Sequence, residues 1–250
     1  VGGVGKGHLV REIDALGGEM GRAADATGIQ YRRLNMSRGP AVRSTRCQSD
    51  SALYRGYMTD VVMNTKGITP IEGEVVQLEH NTKHIEGLRL KNGDVLKARA
   101  VVITTGTFLN GLCHVGEERF EGGRAGDAPA SFLSTSLREL GLRLGRFKTG
   151  TTPRLDANTI DWGRLEGQWG DEPRPRFSFD QVDNPHKQIS CHVTHTNEAT
   201  QKVVQDNLHL SPLYQGVIKG LGPRYCPSFE DKIVRFADKL SHHVFLEPEG

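Results

Sequence analysis

The sequence predicts an α/β protein carrying an antiparallel insert, and three observations lead there. Apolar residues Leu9, Val10, Ile13 and Leu16 fall at helical offsets near the start of the chain. Two strand-like runs, Val75 to Leu78 and Ile85 to Leu90, lead into Asn92-Gly93, the strongest short hairpin signal. Ala100 to Thr105 is an unbroken apolar strand ending at Gly106, as expected where both faces are covered. Helices, then a hairpin, then a buried strand is the order of a layered α/β domain.

Each remaining element follows in turn. The glycine-rich residues 1–7 run into the first helix, which Gly17-Gly18 should end. From Gly28 to Asp50 the chain is polar and arginine-rich (Arg32, Arg33, Arg38, Arg43 and Arg46), with a turn at Gly39-Pro40. Ser51 to Asn64 reads as a second helix. Gly111 to Gly126 reads as loop, centred on the run from Gly122 to Asp127. Leu133, Leu137, Leu140 and Leu144 mark a helix whose leucines belong to a core. Residues 150–188 are interrupted by prolines and Trp-Gly pairs and form an irregular excursion. Ile189 to Thr194 is a short strand, and Val203 to Leu210 is helical.

Composition excludes several classes. The chain has 250 residues, enough for one large domain or two small ones, and a net charge of +2 gives no global field toward nucleic acid. Thirty glycines added to the 36% hydrophobic fraction lift the apolar content into the globular range of about 45–50%, which argues against disorder. No apolar run approaches the ~20 residues of a membrane span. The glycine excess points to tight turns and close approach of backbone to a ligand. Cys47, Cys113, Cys191 and Cys226 lie too far apart for a disulfide scaffold or a paired zinc pattern, so a reducing compartment is expected. The chain has no initiator Met and opens inside a glycine-rich loop, so it reads as an internal piece of a longer protein.

Four motifs invite chemical readings. Gly2-Gly3-Val4-Gly5-Lys6-Gly7 lacks the Ser or Thr that holds magnesium in a nucleotide-triphosphatase loop. A loop whose amides face a ligand phosphate at the helix start stays open. In Cys191-His192-Val193-Thr194-His195, strand geometry puts Cys191 and His195 on one face and His192 on the other. With no second ligand pair, a packed strand is favoured over a metal, and His242-His243 reads the same way. The arginines from Arg32 to Arg46 read first as a solvated face; their clustering beside turns rather than along a helix face adds a little weight to a phosphate-facing surface. Cys226 lies just before a helix start marked by Ser228 and Asp231, two residues from Arg224 and between Pro223 and Pro227. Arg224 and the helix start favour the thiolate, while Glu230 and Asp231 oppose it; a buried structural cysteine is the other reading.

The run Gly222-Pro-Arg-Tyr-Cys-Pro-Ser-Phe-Glu-Asp-Lys-Ile-Val-Arg-Phe236 resembles a signature of the MnmG (GidA) family of tRNA uridine-modifying flavoproteins. Gly39-Pro-Ala-Val-Arg-Ser-Thr-Arg-Cys-Gln-Ser-Asp50 is similar to the family's other signature. Further likeness runs through residues 2–17, 105–109, 122–127, 148–151, 194–198 and 245–250, so the resemblance covers essentially the whole chain in order. It implies a doubly wound, glutathione-reductase-like FAD/NAD(P)-binding α/β fold with an inserted second domain. The FAD-binding domain would take residues 1–150 and the nicotinamide-nucleotide and substrate domain 151–245; residues 246–250 would begin the return.

The same resemblance implies the activity. Family members bind FAD, reduce it with NADH and take a one-carbon unit from methylenetetrahydrofolate. With the GTPase MnmE they place an aminomethyl or carboxymethylaminomethyl group on carbon 5 of the wobble uridine in tRNA. Carried over, Cys226 is the functional cysteine, attacking the pyrimidine ring or transferring a proton, with Arg224 beside it. Gly2, Gly3, Gly5, Val75, Thr105, Gly106, Gly126 and Ala130, with Gly222, Pro223, Tyr225, Ser228, Lys232 and Phe236, would bind cofactors. Arg38, Arg43, Arg46, Arg124 and Arg235 would face substrate or tRNA. No metal is implied. A homodimer associated with MnmE is expected, off the membrane, in the cytoplasm of a bacterium or the mitochondrion of a eukaryote.

Departures from the family pattern carry their own expectations. The family's N-terminal strand, its Gly-x-Gly-x-x-Gly turn and a second cysteine would precede Val1. The flavin-closing segment and the helical MnmE-docking region would follow Gly250. Ala130 stands where the family's Gly-Asp-x-Pro-Ser run has Ser, so the cofactor contact expected there lacks its hydroxyl. Two other functions compete: a flavin- and folate-dependent tRNA 5-methyluridine methyltransferase, and a non-catalytic tRNA-binding module on the same scaffold. The 250-residue chain alone is expected to bind FAD poorly and not to turn over; stoichiometric flavin on the purified chain would overturn that.

Overall fold

The computed structural model describes residues 1–124, 126–218, 220 and 228–250. In chain order they form α1 (Lys6–Ala15), α2 (Met20–Thr27), β1 (Gly28–Leu34), β2 (Ser44–Ser49), α3 (Ser51–Asn64), β3 (Val75–His80), β4 (Ile85–Leu90) and β5 (Val95–Lys97). Then come β6 (Leu112–Val115), β7 (Glu118–Glu121), α4 (Leu133–Glu139), β8 (Glu166–Gln168), β9 (Cys191–His195), α5 (Glu198–Asp206), α6 (Phe229–Arg235) and β10 (His243–Leu246). The strands pair antiparallel as β1–β2, β3–β4–β5, β6–β7 and β8–β9–β10, with β9 central in the last. Helix and sheet together give the α/β class read from the sequence. Among the described residues no helix is long and apolar enough to cross a membrane.

The chain gathers into two compact units, each discontinuous in sequence. One holds residues 1–70, 154–197 and 241–250; the other holds 71–153 and 198–240. One crossing falls after Pro153. The other crossings fall after Pro70, Asn197 and Leu240.

In the first unit, α1 stops where the glycine pair predicts: the Gly17 amide donates to the Asp14 carbonyl and the Gly18 amide to that of Ile13. Helix α2 follows at once, and its small residues Gly21, Ala23 and Ala24 are buried. The arginine-rich stretch read as polar turns is a hairpin, β1–β2, with Pro40–Val42 in its connecting loop. Its first strand shows no alternation because Ile29, Gln30 and Tyr31 are all buried, so both faces are covered. Val10, Ala24, Tyr31, Cys47 and Phe177 close the core beneath it.

The irregular excursion takes its order from β1. The Asp171 amide donates to the Tyr31 carbonyl at 2.7 Å, and the Ile189 amide to that of Ile29 at 2.8 Å. The Gln188 side-chain oxygen accepts from the Tyr31 amide at 2.9 Å. Backbone groups that would otherwise be buried unpaired are thereby satisfied without a regular ladder. Asp25, on α2, accepts from the amides of Phe177 (3.0 and 3.1 Å) and Ser178 (2.8 Å). Burial pushes its carboxyl above the usual carboxylate value, and these two amides pull back toward it.

In the second unit, α4 lies on the β3–β4–β5 meander, and Leu78, Leu133 and Leu137 form its core. The Ser136 hydroxyl accepts from the Leu78 amide at 2.9 Å and ties helix to strand. Asn92-Gly93 connects β4 to β5, as the dipeptide predicts. Helix α4 ends at Glu139, yet Leu140 and Leu144 still pack on the core. The helix predicted over Val203 to Leu210 divides into α5, which starts earlier at Glu198, and a 3-10 turn at Leu208–Leu210.

Two expectations are corrected here. Ala100 to Thr105 is extended but forms no ladder among the described residues: Val101 packs on the leucine core while Val102 is 86% exposed. An apolar strand needs neighbours on its hydrogen-bonding edges, and none of the described strands supplies one. Residues 111–126 are not simply loop, since β6 and β7 form a hairpin turning at Gly116. Its outward residues Glu118, Arg119 and Glu121 mask the strand signal.

Asp25→Ala leaves two buried amides without an acceptor and should destabilise the folded chain by about 2–4 kcal/mol, read from urea midpoints. The Asp25 carboxyl is held above its unfolded value, so the native state binds that proton more tightly. Its contribution to stability should therefore fall as pH rises from about 3.8 through the raised folded value, and be flat above it. An Asp25→Ala variant with unchanged midpoint and pH profile would contradict this account.

Candidate functional site

Loops of the second unit bring several of the predicted cofactor residues together. Leu109 bridges Ala130 in parallel; the Ala130 amide donates to the Phe108 carbonyl at 2.9 Å and its carbonyl accepts from Asn110 at 3.0 Å. The Thr107 hydroxyl donates to the Gly123 carbonyl at 2.8 Å. Gly106 turns shortly before this bridge, and Gly126 lies in the turn between Gly123 and Ala130. Among the described residues, no atom beyond the chain neighbours comes within 4 Å of where a Cβ would stand on Gly106 or Gly126, and both have positive φ. Arg124 pairs with Asp127 at 2.6 Å and closes the second loop on itself. Val75 is placed differently, half-buried in the meander against the leucine core.

The glycine loop of the first unit is held by the protein itself. The Gly3 amide donates to the Thr45 carbonyl, the Gly7 amide to that of Gly3, and the Ser44 hydroxyl to Gly3 as well. Gly2 bridges Arg46 of β2, and the space a Cβ would need is taken by the Phe177 ring and the Thr45 carbonyl. The close approach that the glycine content suggested for a ligand is, at Gly2, an approach to the fold. Gly3 and Gly5 keep open space beside their α-carbons.

The five arginines assigned to substrate divide by environment. Arg38 and Arg43 are exposed in the loop joining β1 to β2, where the Arg43 Nε donates to the Arg38 carbonyl at 3.0 Å. Arg46 is half-buried and paired with Glu247, with Gln48 also in reach. The neighbouring Gln48 amide donates to the Pro248 carbonyl, and the Ser51 amide to that of Glu249, so this stretch grips residues 247–249. Arg124 is engaged with Asp127, and Arg235 lies 3.7 Å from Asp231.

Gly222, Pro223, Arg224, Tyr225 and Cys226 lie outside the described residues. The helix expected just after them is present: Ser228 is the N-cap of α6, its hydroxyl accepting from the Asp231 amide at 3.4 Å. Lys232 is half-buried on that helix, and Phe236 sits at its end with the Lys239 ammonium 5.0 Å above the ring. Of the other cysteines, Cys47 and Cys191 are buried and their thiols pushed up by burial, so neither is a ready nucleophile. His195 and His243 face each other across β9 and β10 at 4.4 Å. Among the described residues no three His, Cys, Asp or Glu side chains converge as a metal set.

Sequence reasoning passed over Lys148. Its side chain is 10% exposed and its ammonium lies 3.9 Å from Asp231, itself 14% exposed. The available signal was its place at the head of Lys148-Thr-Gly-Thr151, one of the stretches that carries the family resemblance.

Comparison with known proteins is consistent over the full chain. The family model described as "Glucose inhibited division protein A" matches residues 1–250. The structure of Aquifex aeolicus GidA in its form I crystal superposes with a TM-score of 0.91 at 47% identity, covering all of this chain and 43% of that one. The form II crystal gives 0.89 at 44% identity, again over the whole chain and 41% of the other. The chain thus spans less than half the length of the solved structures it resembles.

Proposed function

The chain belongs to the glucose inhibited division protein A family, and from that premise we propose that it serves flavin-dependent modification of tRNA. The reaction we assign is addition of a carboxymethylaminomethyl or aminomethyl group to carbon 5 of the wobble uridine, with NADH, methylenetetrahydrofolate and the GTPase MnmE. The observation that carries the reading is the family match across all 250 residues, with every stretch of the resemblance in order.

The loops at Thr105–Gly106 and Gly126–Ala130 fit a flavin nucleotide in one respect. Their glycines leave backbone open beside positive-φ turns, the kind of surface that admits a phosphate or ribityl chain at close range. Bound there, FAD would supply the electrons passed on from NADH. Ala130 offers no hydroxyl, and both its backbone groups are engaged with residues 108–110, so its role is to fix the loop. Gly3 and Gly5 are the second set with open space, at the start of α1.

The remaining work falls to side chains. Cys226 as thiolate adds to the pyrimidine ring or moves a proton on it, and Arg224 stabilises the thiolate. Arg38 and Arg43 supply the exposed positive charge for a polyanion, while Arg46 is committed to Glu247. Homodimerisation and a cytoplasmic or mitochondrial setting complete the proposal.

Nucleoside mass spectrometry on tRNA from a host lacking the gene decides the reading. Wobble aminomethyl- or carboxymethylaminomethyl-uridine should vanish, return with the full-length gene, and stay absent with Cys226→Ser. Loss of 5-methyluridine alone would instead identify the methyltransferase, and no change in either would leave a tRNA-binding module. For binding, Arg38→Gln and Arg43→Gln in the full-length protein should each reduce the salt slope of tRNA affinity by about 1. Slopes equal to wild type would remove this loop from the interface.

A further inference from the structure

We propose that one end of the β3–β4–β5 meander is a contact surface for the phosphate backbone of RNA, with Lys97 and Arg99 as its anion-binding side chains. The proposal gives the RNA substrate read above a footprint on the second unit, and it rests on that reading.

Strand register builds the surface. Gly87 of β4 stands opposite Lys97 of β5, and the Ala98 amide donates to the Glu86 carbonyl at 3.0 Å. Residues 84–86 therefore run beside 97–99 where the ladder ends, and Gly87 puts no side chain next to Lys97 on its row. An open cleft of about 690 Å³ lies there, lined by His84, Ile85, Glu86, Lys97, Ala98 and Arg99. Only Ile85 and Ala98 are apolar. A site that encloses a small ligand is lined mostly by hydrophobic and aromatic side chains. An open, charged cleft suits a chain that lies across it.

The meander pairs its other cations and leaves these two free. Arg89 Nε holds Glu79 at 2.7 Å, and the Lys91 ammonium holds Glu74 at 2.8 Å. Among the described residues the side chains of Lys97 and Arg99 have no hydrogen-bond or ion-pair partner, and both are exposed. Glu79 shares the row of Gly87 and Lys97, but its carboxylate is the one that Arg89 holds. The carboxylate that lines the cleft is Glu86, and the Asn81 side-chain amide donates to it at 2.6 Å. The Asn81 side-chain oxygen accepts from the amides of Lys83 and His84 at 2.8 and 3.1 Å, which fixes the turn between β3 and β4. Lys83, exposed on that turn, adds a third cation beside His84. The cations outnumber the carboxylate, so this end of the meander keeps a positive excess.

A free cation that meets a backbone phosphate displaces a condensed counterion, the source of sequence-independent affinity for nucleic acid. Arg99 brings a planar fork that takes a phosphate through two bonds, and Lys97 brings a mobile point charge. Contacts of this kind position a nucleic acid and carry no sequence information, so the surface adds affinity without selecting a base.

The test follows binding of tRNA to the full-length protein by fluorescence anisotropy across a range of salt. Lys97→Gln and Arg99→Gln should each flatten the slope of log affinity against log salt by about 0.7–1, equally for unrelated tRNA sequences. Both side chains are exposed and unpaired, so flavin content should stay at the wild-type level. Lys91→Gln removes the same charge from a paired position on the same meander and should keep the wild-type slope. Wild-type slopes in both Lys97→Gln and Arg99→Gln would overturn the proposal. An equal loss in Lys91→Gln would do the same, because net charge rather than the cleft would then be acting. Titration with poly-glutamate covers the other class of partner. Variants that lose poly-glutamate binding yet keep the wild-type slope for tRNA would make the cleft a site for an acidic protein segment and sink the RNA assignment. Wobble uridines unchanged in a host lacking the gene, together with flattened slopes in both variants, would remove the enzymatic reading and leave the RNA contact standing.

Discussion

The first unit depends on a buried cluster of side-chain-to-backbone hydrogen bonds centred on Asp25, Tyr31 and Asn184. The Tyr31 hydroxyl donates into the carbonyls of Ala24 and Asp25, and the Asn184 amide donates to the carbonyls of Asp25 and Gly28 and to the same hydroxyl. Asp25 meanwhile holds the amides of Phe177 and Ser178. These bonds fix a long stretch without regular secondary structure against α2 and β1. Each donor or acceptor left unmade there would cost more than an average hydrogen bond contributes, because none of them can turn to water. Burial pushes the hydroxyl of Tyr31 far above its ordinary range and raises the carboxyl of Asp25, the electrostatic signature of the same dry environment.

The second unit is organised on a different principle. Its core is aliphatic, Leu78, Leu133 and Leu137, and its loops are joined backbone to backbone between residues 108–110 and Ala130. Side chains add to this at Gly123, whose carbonyl accepts from the Thr107 hydroxyl. The arginine on this loop, Arg124, is turned back on Asp127 and steadies the turn.

How much of this was legible in the sequence depends on where the determining contacts lie. Local signals survived: Gly17-Gly18 ends α1, Asn92-Gly93 turns the meander, and Ser228 caps α6. These need only neighbours in the chain. What failed needed distant partners. Helix α2 is short and led by alanine and glycine, so no apolar stripe announces it. Strand β1 lost its alternation because Gln30, on the face away from Tyr31, is covered as well, bonded to the Gln168 carbonyl and the Cys191 thiol. The run at Ala100 promised a two-sided strand, but only Val101 found a partner. Among the candidate site residues, the glycines were legible as close-packing positions, whereas Gly2 shows that sequence does not say what packs against them.

Charge in a recognised motif is a separate matter from charge available to a ligand. Arg46 lies in a stretch that resembles a family signature, yet its guanidinium holds Glu247 while Gln48 and Ser51 hold the backbone that follows. Arg154 does the same for Glu249 at 2.8 Å. Two segments almost two hundred residues apart are thus joined by the residues that make each recognisable, and this join needs no ligand. Lys148 is the parallel case in the second unit, a cation of a recognisable stretch turned inward to Asp231. An internally paired cation has already exchanged its hydration for a protein carboxylate, so it releases no phosphate counterion when a nucleic acid arrives. The positive charge that these motifs leave exposed is on groups such as Arg38 and Arg43, while Arg46 and Lys148 are held to carboxylates within the fold.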